Sequence, residues 1–171
     1  MLQVRQSCFE TNSSSTHAIC IPQVVTIGRG YTITFRVGCY GWEEDSADGA
    51  DYLYTAICIR YGENEEEFQK ALNRIREVLA PYDIKCEFIE PKWSFWKDDS
   101  RRYLDSECGY IDHEWEFYPL MDELFSNKDL LVRYLVGSVV YTGNDNGCDD
   151  RIDDIVGEYE AKGYYVFEKG N

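Results

Sequence analysis

Residues 138–167, SVVYTGNDNGCDDRIDDIVGEYEAKGYYVF, read as strand, turn, helix and strand in succession. Ser138 to Thr142 is short and β-branched, which suits a pleated, half-buried strand. GNDNG at 143–147 is built of turn formers. Beyond it Ile152, Ile155, Val156 and Tyr159 recur at i, i+3, i+4 and i+7, so the spacing predicts a helix over 150–162 that Gly163 ends. Tyr164 to Phe167 is then a final strand. A strand–helix–strand order allows parallel crossover pairing of the two strands, and it places the chain among folds that mix helix and sheet.

The rest of the chain agrees with that class. Asn64 with Glu67 has the form of a capping box, Glu65–Glu67 suit the positive start of a helix, and Phe68, Leu72, Ile75 and Leu79 share one face. Pro81 ends this helix, and Ile84, Cys86 and Phe88 alternate with polar residues in a half-buried strand. From Pro119 the apolar pattern predicts two short helices split near Ser126-Asn127, with Gly137 closing the second. Nearer the N-terminus, Ala18–Ile21 and Tyr31–Val37 read as an antiparallel pair turned at Gly28-Arg29-Gly30. Residues 38–50 read as an exposed loop, and 51–61 as a helix of indistinct period. Residues 91–117, with three of the four tryptophans, have no clean period. The expectation is one α+β (or mixed α/β) domain over 1–171, a small mixed sheet packed against about three to five helices.

Charge is the strongest global signal. There are 32 acidic against 17 basic residues, a formal net charge of -15, which opposes direct binding to a nucleic-acid backbone. The same charge suits a partner protein with a basic nucleic-acid groove. No apolar run approaches the roughly 20 residues of a membrane span and MLQVRQSCFE lacks a signal-peptide pattern, so the expected setting is the cytoplasm of a host cell, without membrane. Seven cysteines, odd in number and without a CxxC pair, indicate neither a disulfide framework nor a ribbon-type zinc site.

Three polar motifs stand out. FETNSSSTH at 9–17 is a self-capping turn by composition, or else a hydroxyl-rich cradle for phosphate or carbonyl oxygens with His17 and Glu10 at its ends. Asp112-His113-Glu114 carries the second of only two histidines, and with acids nearby it offers ligands suited to a divalent metal cofactor. Thr142 to Gly147 follows a strand, where open sheets tend to gather ligand-binding groups. The aromatic cluster Trp93, Phe95, Trp96 and Tyr103, interleaved with Lys92, Lys97, Arg101 and Arg102, reads as a partly exposed patch for a protein partner or as a lid on the core.

SCFETNSSSTHAI, GYIDHEW and VVYTGNDNG, in this order, resemble segments of a family of small proteins of bacteriophages and Gram-positive mobile elements. The resemblance implies that Glu10, Asn12, Ser13, Ser14, Thr16, His17, Asp112, His113, Asn144, Asp145 and Asn146 form one shared site. It brings no activity with it. Two functions follow as expectations. The first is an anti-CRISPR-like inhibitor, in which Glu43, Glu44, Asp45 and Asp48 with Glu63, Glu65, Glu66 and Glu67 replace phosphates on a host defence protein's basic surface. The second is a small hydrolase or nucleotide-modifying enzyme using His17 and His113 as acid/base groups or metal ligands, with Glu10, Asp112 and Asp145 orienting them and the Ser/Thr loop binding phosphate.

Overall fold

The two terminal strands of the 138–167 unit are both present, but a third strand lies between them. In the computed structural model, which describes residues 15–41, 43, 45–97, 101–144 and 151–169, the chain runs β1 (Ser15–Pro22), β2 (Thr32–Phe35), β3 (Cys39–Tyr40), β4 (Asp45–Asp48), α1 (Gly49–Tyr61), α2 (Glu65–Leu79) and β5 (Lys85–Phe88). It continues through β6 (Trp93–Phe95), β7 (Arg102–Leu104), β8 (Tyr110–Ile111), α3 (Tyr118–Ser126), α4 (Lys128–Gly137), β9 (Val139–Asn144), α5 (Arg151–Ala161) and β10 (Tyr164–Lys169). The architecture is α+β. The main sheet has the order β10-β1-β9-β4 with every neighbour antiparallel. β9 and β10 therefore run parallel to each other, as the crossover rule requires, yet they do not pair, because α5 crosses over β1.

β1 takes the central position because both of its faces are apolar. Ile19 and Ile21 belong to the main core on the α1 and α4 side, while Ala18 and Cys20, also fully buried, face the side covered by α5. A strand buried on both faces needs partners at both edges, since its backbone groups have no water to bond. This overturns the expected early hairpin. β1 pairs with β9 and β10, and it begins at Ser15, so the end of FETNSSSTH is strand rather than turn.

β2 pairs instead with β5, in parallel. Phe35 is opposite Phe88 in that register and the rings stack at 4.5 Å, an aromatic cross-strand pair that selects the partner. Gly30, at φ +73, donates its N–H to Asp83 O at 3.1 Å and so brings the two strand starts together.

The strongest helix prediction holds. Asn64 caps α2 by accepting from Glu67 N at 3.2 Å, and Phe68, Leu72, Ile75 and Leu79 are all buried. Only half of the capping box forms, since the Glu67 carboxylate turns to Lys70 at 3.5 Å. α1 is buried from Gly49 to Cys58 except at Asp51, which is half-buried; a helix sealed all round has no polar face to give it a period. Residues 38–50 are not simply an exposed loop, because Tyr40 and Gly41 are buried, β3 pairs with β8 and β4 pairs with β9. Residues 91–117 contain the β6–β7 hairpin, β8 and a 3-10 turn at Glu114–Phe117. Among the described residues, no helix is long and apolar enough to cross a membrane.

Candidate functional site

Strand pairing sets Lys169, His17 and Thr142 side by side in one row across the main sheet. All three are buried, with His17 at 0% exposure. Buried polar groups require partners, and the row finds them in the segments above it. The β3–β8 pair is what brings those segments in: Asp112 N donates to Tyr40 O at 2.8 Å, so Gly41 and Asp112-His113 both lie over β1 and β10. His17 Nε2 lies 3.3 Å from Gly41 O, and Nδ1 lies 2.8 Å from the Tyr52 hydroxyl on α1. A carbonyl only accepts, so Nε2 carries the proton and the Tyr52 O–H donates to Nδ1.

Burial holds the His17 imidazole at about 3, far below its ordinary value of 6.5, with the Lys169 charge contributing in the same direction. The Lys169 ammonium donates to Asp112 O and, at 3.4 Å, to His113 O. Burial lowers it to about 8, opposed by the carboxylates of Glu116, Asp112 and Glu114. Thr142 Oγ1 donates to Glu43 O at 2.6 Å, which ties β9 to the turn before β4.

The first two polar motifs therefore meet, through a lysine that neither contains. His113 sits in the left-handed region at φ 52, stacks on Trp115 at 4.9 Å, and places its ring nitrogens 3.8 Å from Asp112 Oδ1 and 3.7 Å from Glu116 Oε1. Thr16 is half-buried opposite Gly143, and Asn144 is opposite Ser15. Glu10, Asn12, Ser13, Ser14, Asp145 and Asn146 lie outside the described residues, as does Glu44.

Chemically, this arrangement gives His17 a structural task. Both nitrogens are used by the protein and the cationic form is suppressed, so the ring offers neither a proton acceptor to substrate nor an electron pair to a metal. Among the described residues, no group of three or more His, Cys, Asp or Glu side chains is arranged to hold a metal ion.

The acidic residues have the opposite surroundings. Glu43, Asp45, Asp48, Glu63, Glu65 and Glu66 are exposed and Glu67 is half-buried. They form two clusters rather than one, because Asp48 precedes α1 and Glu63 follows it, and the 13 residues of α1 span about 20 Å. Glu63 accepts from Trp96 Nε1 and Arg101 Nη1, each at 3.2 Å, and Glu65 is ion-paired with Arg102. These bonds anchor the β6–β7 hairpin, whose Phe95 and Trp96 remain more than half exposed while Trp93 packs edge-on against Phe68.

The second acidic cluster also borders an open groove of about 1080 Å³ between α2 and α3. Its lining holds five carboxylates, Glu65, Glu66, Glu67, Glu77 and Asp122, against the bases Lys70 and Arg74, with Tyr61, Ala71 and Phe125 as its apolar part.

Sequence reasoning missed Lys169, Tyr52 and Glu116 at the buried node. Tyr52 is one aromatic in an apolar helix, Lys169 one cation after an aromatic strand, and only tertiary pairing joins them to His17. Glu77 and Asp122 were missed at the groove, although Glu77 lies on the polar face of the predicted helix and its spacing from Glu66 and Glu67 is visible in the sequence. Comparison with protein families, with curated proteins and with solved structures finds no match to this chain.

Proposed function

We propose that this chain is an acidic binding protein that occupies the basic nucleic-acid-binding surface of another protein, as an inhibitor of a host defence protein such as a CRISPR effector. The observation that carries the reading is the α2–α3 groove, where carboxylates outnumber bases five to two on a chain of net charge -15. Complementary fields of this kind steer association and suppress binding to nucleic acid itself. The exposed acids at the other end of α1, about 20 Å away, form a second, separate negative patch. The resemblance of the three polar motifs to phage and mobile-element proteins is the ground for choosing a defence protein as the partner class.

The engaged ring of His17 weighs against the hydrolase reading, since its acid/base histidine would have to give up two internal hydrogen bonds to act. The test is competition. Guide-loaded CRISPR effectors and other basic nucleic-acid-binding defence proteins are saturated with fluorescent target DNA, and the chain is titrated in while anisotropy is followed. Displacement at about 50 mM salt that weakens as salt is raised is the expected result. DNA that stays bound to every effector at that salt, with the chain in large excess, would end the proposal.

A further inference from the structure

The groove has a feature that charge alone does not require. Its carboxylates stand around an apolar floor made by Tyr61, Ala71 and Phe125. Tyr61 and Phe125 are half-buried, and Ala71 is 7% exposed, so a small side chain sits where a larger one would close the depression. Along α2, Glu67, Ala71 and Arg74 fall at i, i+4 and i+7, and the depression therefore runs lengthwise on one helix face. Lys70 and Arg74 are already paired with Glu67 at 3.5 Å and Glu77 at 3.9 Å. The Lys70–Glu67 pair is exposed and weak, so a cationic partner can replace Lys70 at little cost, whereas Arg74 is also anchored across the groove by donating Nε–H to Phe125 O at 3.3 Å.

We infer that this groove receives a basic amphipathic helix of the partner, which lays an apolar side chain on Tyr61, Ala71 and Phe125 while its lysines or arginines meet Glu66 and Glu77, Asp122 being held by Arg60 at 2.6 Å. The inference rests on the binding reading above and specifies what is recognised. An apolar floor within an acidic rim matches a helix that carries apolar residues at i, i+3/i+4 and i+7 and bases on its flanks. A phosphate-bearing ligand is repelled by the five carboxylates, and a second copy of the chain brings its own net charge of -15 to the same surface.

Two fluorescein-labelled synthetic helices of equal length and equal lysine content, one patterned Lys/Leu and the other Lys/Ala, are titrated with the full chain at about 150 mM salt. The Lys/Leu helix is expected to bind at least about tenfold more tightly, the worth of burying one leucine. Phe125→Ala should erase that preference. Glu66→Lys with Glu77→Lys, both at exposed positions, should weaken both helices and flatten their salt dependence. Equal affinities of the two helices for the wild-type chain overturn the inference, and so does Lys/Leu binding unchanged by the double charge reversal in a variant whose urea midpoint shows that it is folded. Equal helix affinities with DNA displacement intact would remove the inserted helix and leave the inhibitor reading standing. A retained leucine preference with no DNA displacement supports the groove and ends the inhibitor reading.

Discussion

At His17 each ring nitrogen has a partner inside the protein, while along the α2–α3 groove the carboxylates of Glu66, Glu77 and Asp122 are exposed. The two regions share an ingredient, polar side chains gathered close together, and differ in solvent. In the interior, polarity serves register: the row Lys169–His17–Thr142 bonds to segments 41, 43, 52 and 112–113 and so locks the β3–β8 segment over the sheet. On the surface, exposed carboxylates serve recognition, because solvent-screened ion pairs such as Glu67–Lys70 and Glu77–Arg74 are weak and the excess negative charge can meet a partner. Polar motifs in a sequence therefore point to function only once their burial is known.

Acid is the largest lever on this contrast. The folded chain keeps His17 neutral down to about pH 3, whereas an unfolded chain takes up the proton at the ordinary value of 6.5. Between those values the unfolded state holds more protons, so stability rises with pH and is lost as acid is added. The loss attributable to His17 is on the order of 4 kcal/mol by pH 3. Urea denaturation of the wild type and of His17→Phe between pH 3 and 7 checks it: the variant is less stable at pH 7, where the Tyr52 hydroxyl and Gly41 carbonyl lose their partner, and its pH slope is shallower. Parallel slopes would assign the acid sensitivity to carboxylates elsewhere.

Next in size is the joint between α1 and α4. Gly49 N donates to Ser138 O at 3.1 Å, and a Cβ on Gly49 would lie 1.8 Å from Ser138 Oγ, itself bonded to Tyr134 O. Gly49→Ala is expected to cost about 2 kcal/mol, an overpacking penalty read from the urea midpoint. The smallest effect on folding belongs to the groove. Glu66→Gln with Glu77→Gln should move stability by less than about 0.5 kcal/mol while lowering affinity for a basic partner, so the two regions separate in one pair of measurements. A large loss of stability in that double variant would mean that the groove is part of the scaffold.

Local rules made much of the fold legible. Asn64, Asn127, Gly163 and the proline at 81 mark helix ends through their own side chains and backbone, and each does so here. The class, α+β, followed from those elements. What misled was pairing. An apolar tetrad such as Ala18 to Ile21 carries no address for its neighbours, and proximity along the chain suggested β2, when burial on both faces required β9 and β10. The candidate site divided in the same way. Glu65, Glu66 and Glu67 could be read from the start of α2, but Glu77 and Asp122 were missed, and the depression between these carboxylates depends on where α3 lies.

By itself the sequence determined composition, charge, helix boundaries and the acidic character of the surface, because these depend on side chains within a few residues of one another. Only the tertiary structure decided that β1 divides the C-terminal unit, that His17 is sealed between Tyr52 and Gly41, and that Lys169 joins two distant motifs. The physical reason is solvent. Whether a histidine is a reagent or a strut depends on whether its nitrogens face water or protein, and that is settled by strands more than 100 residues apart, as in the pairing of Ile19 with Val140.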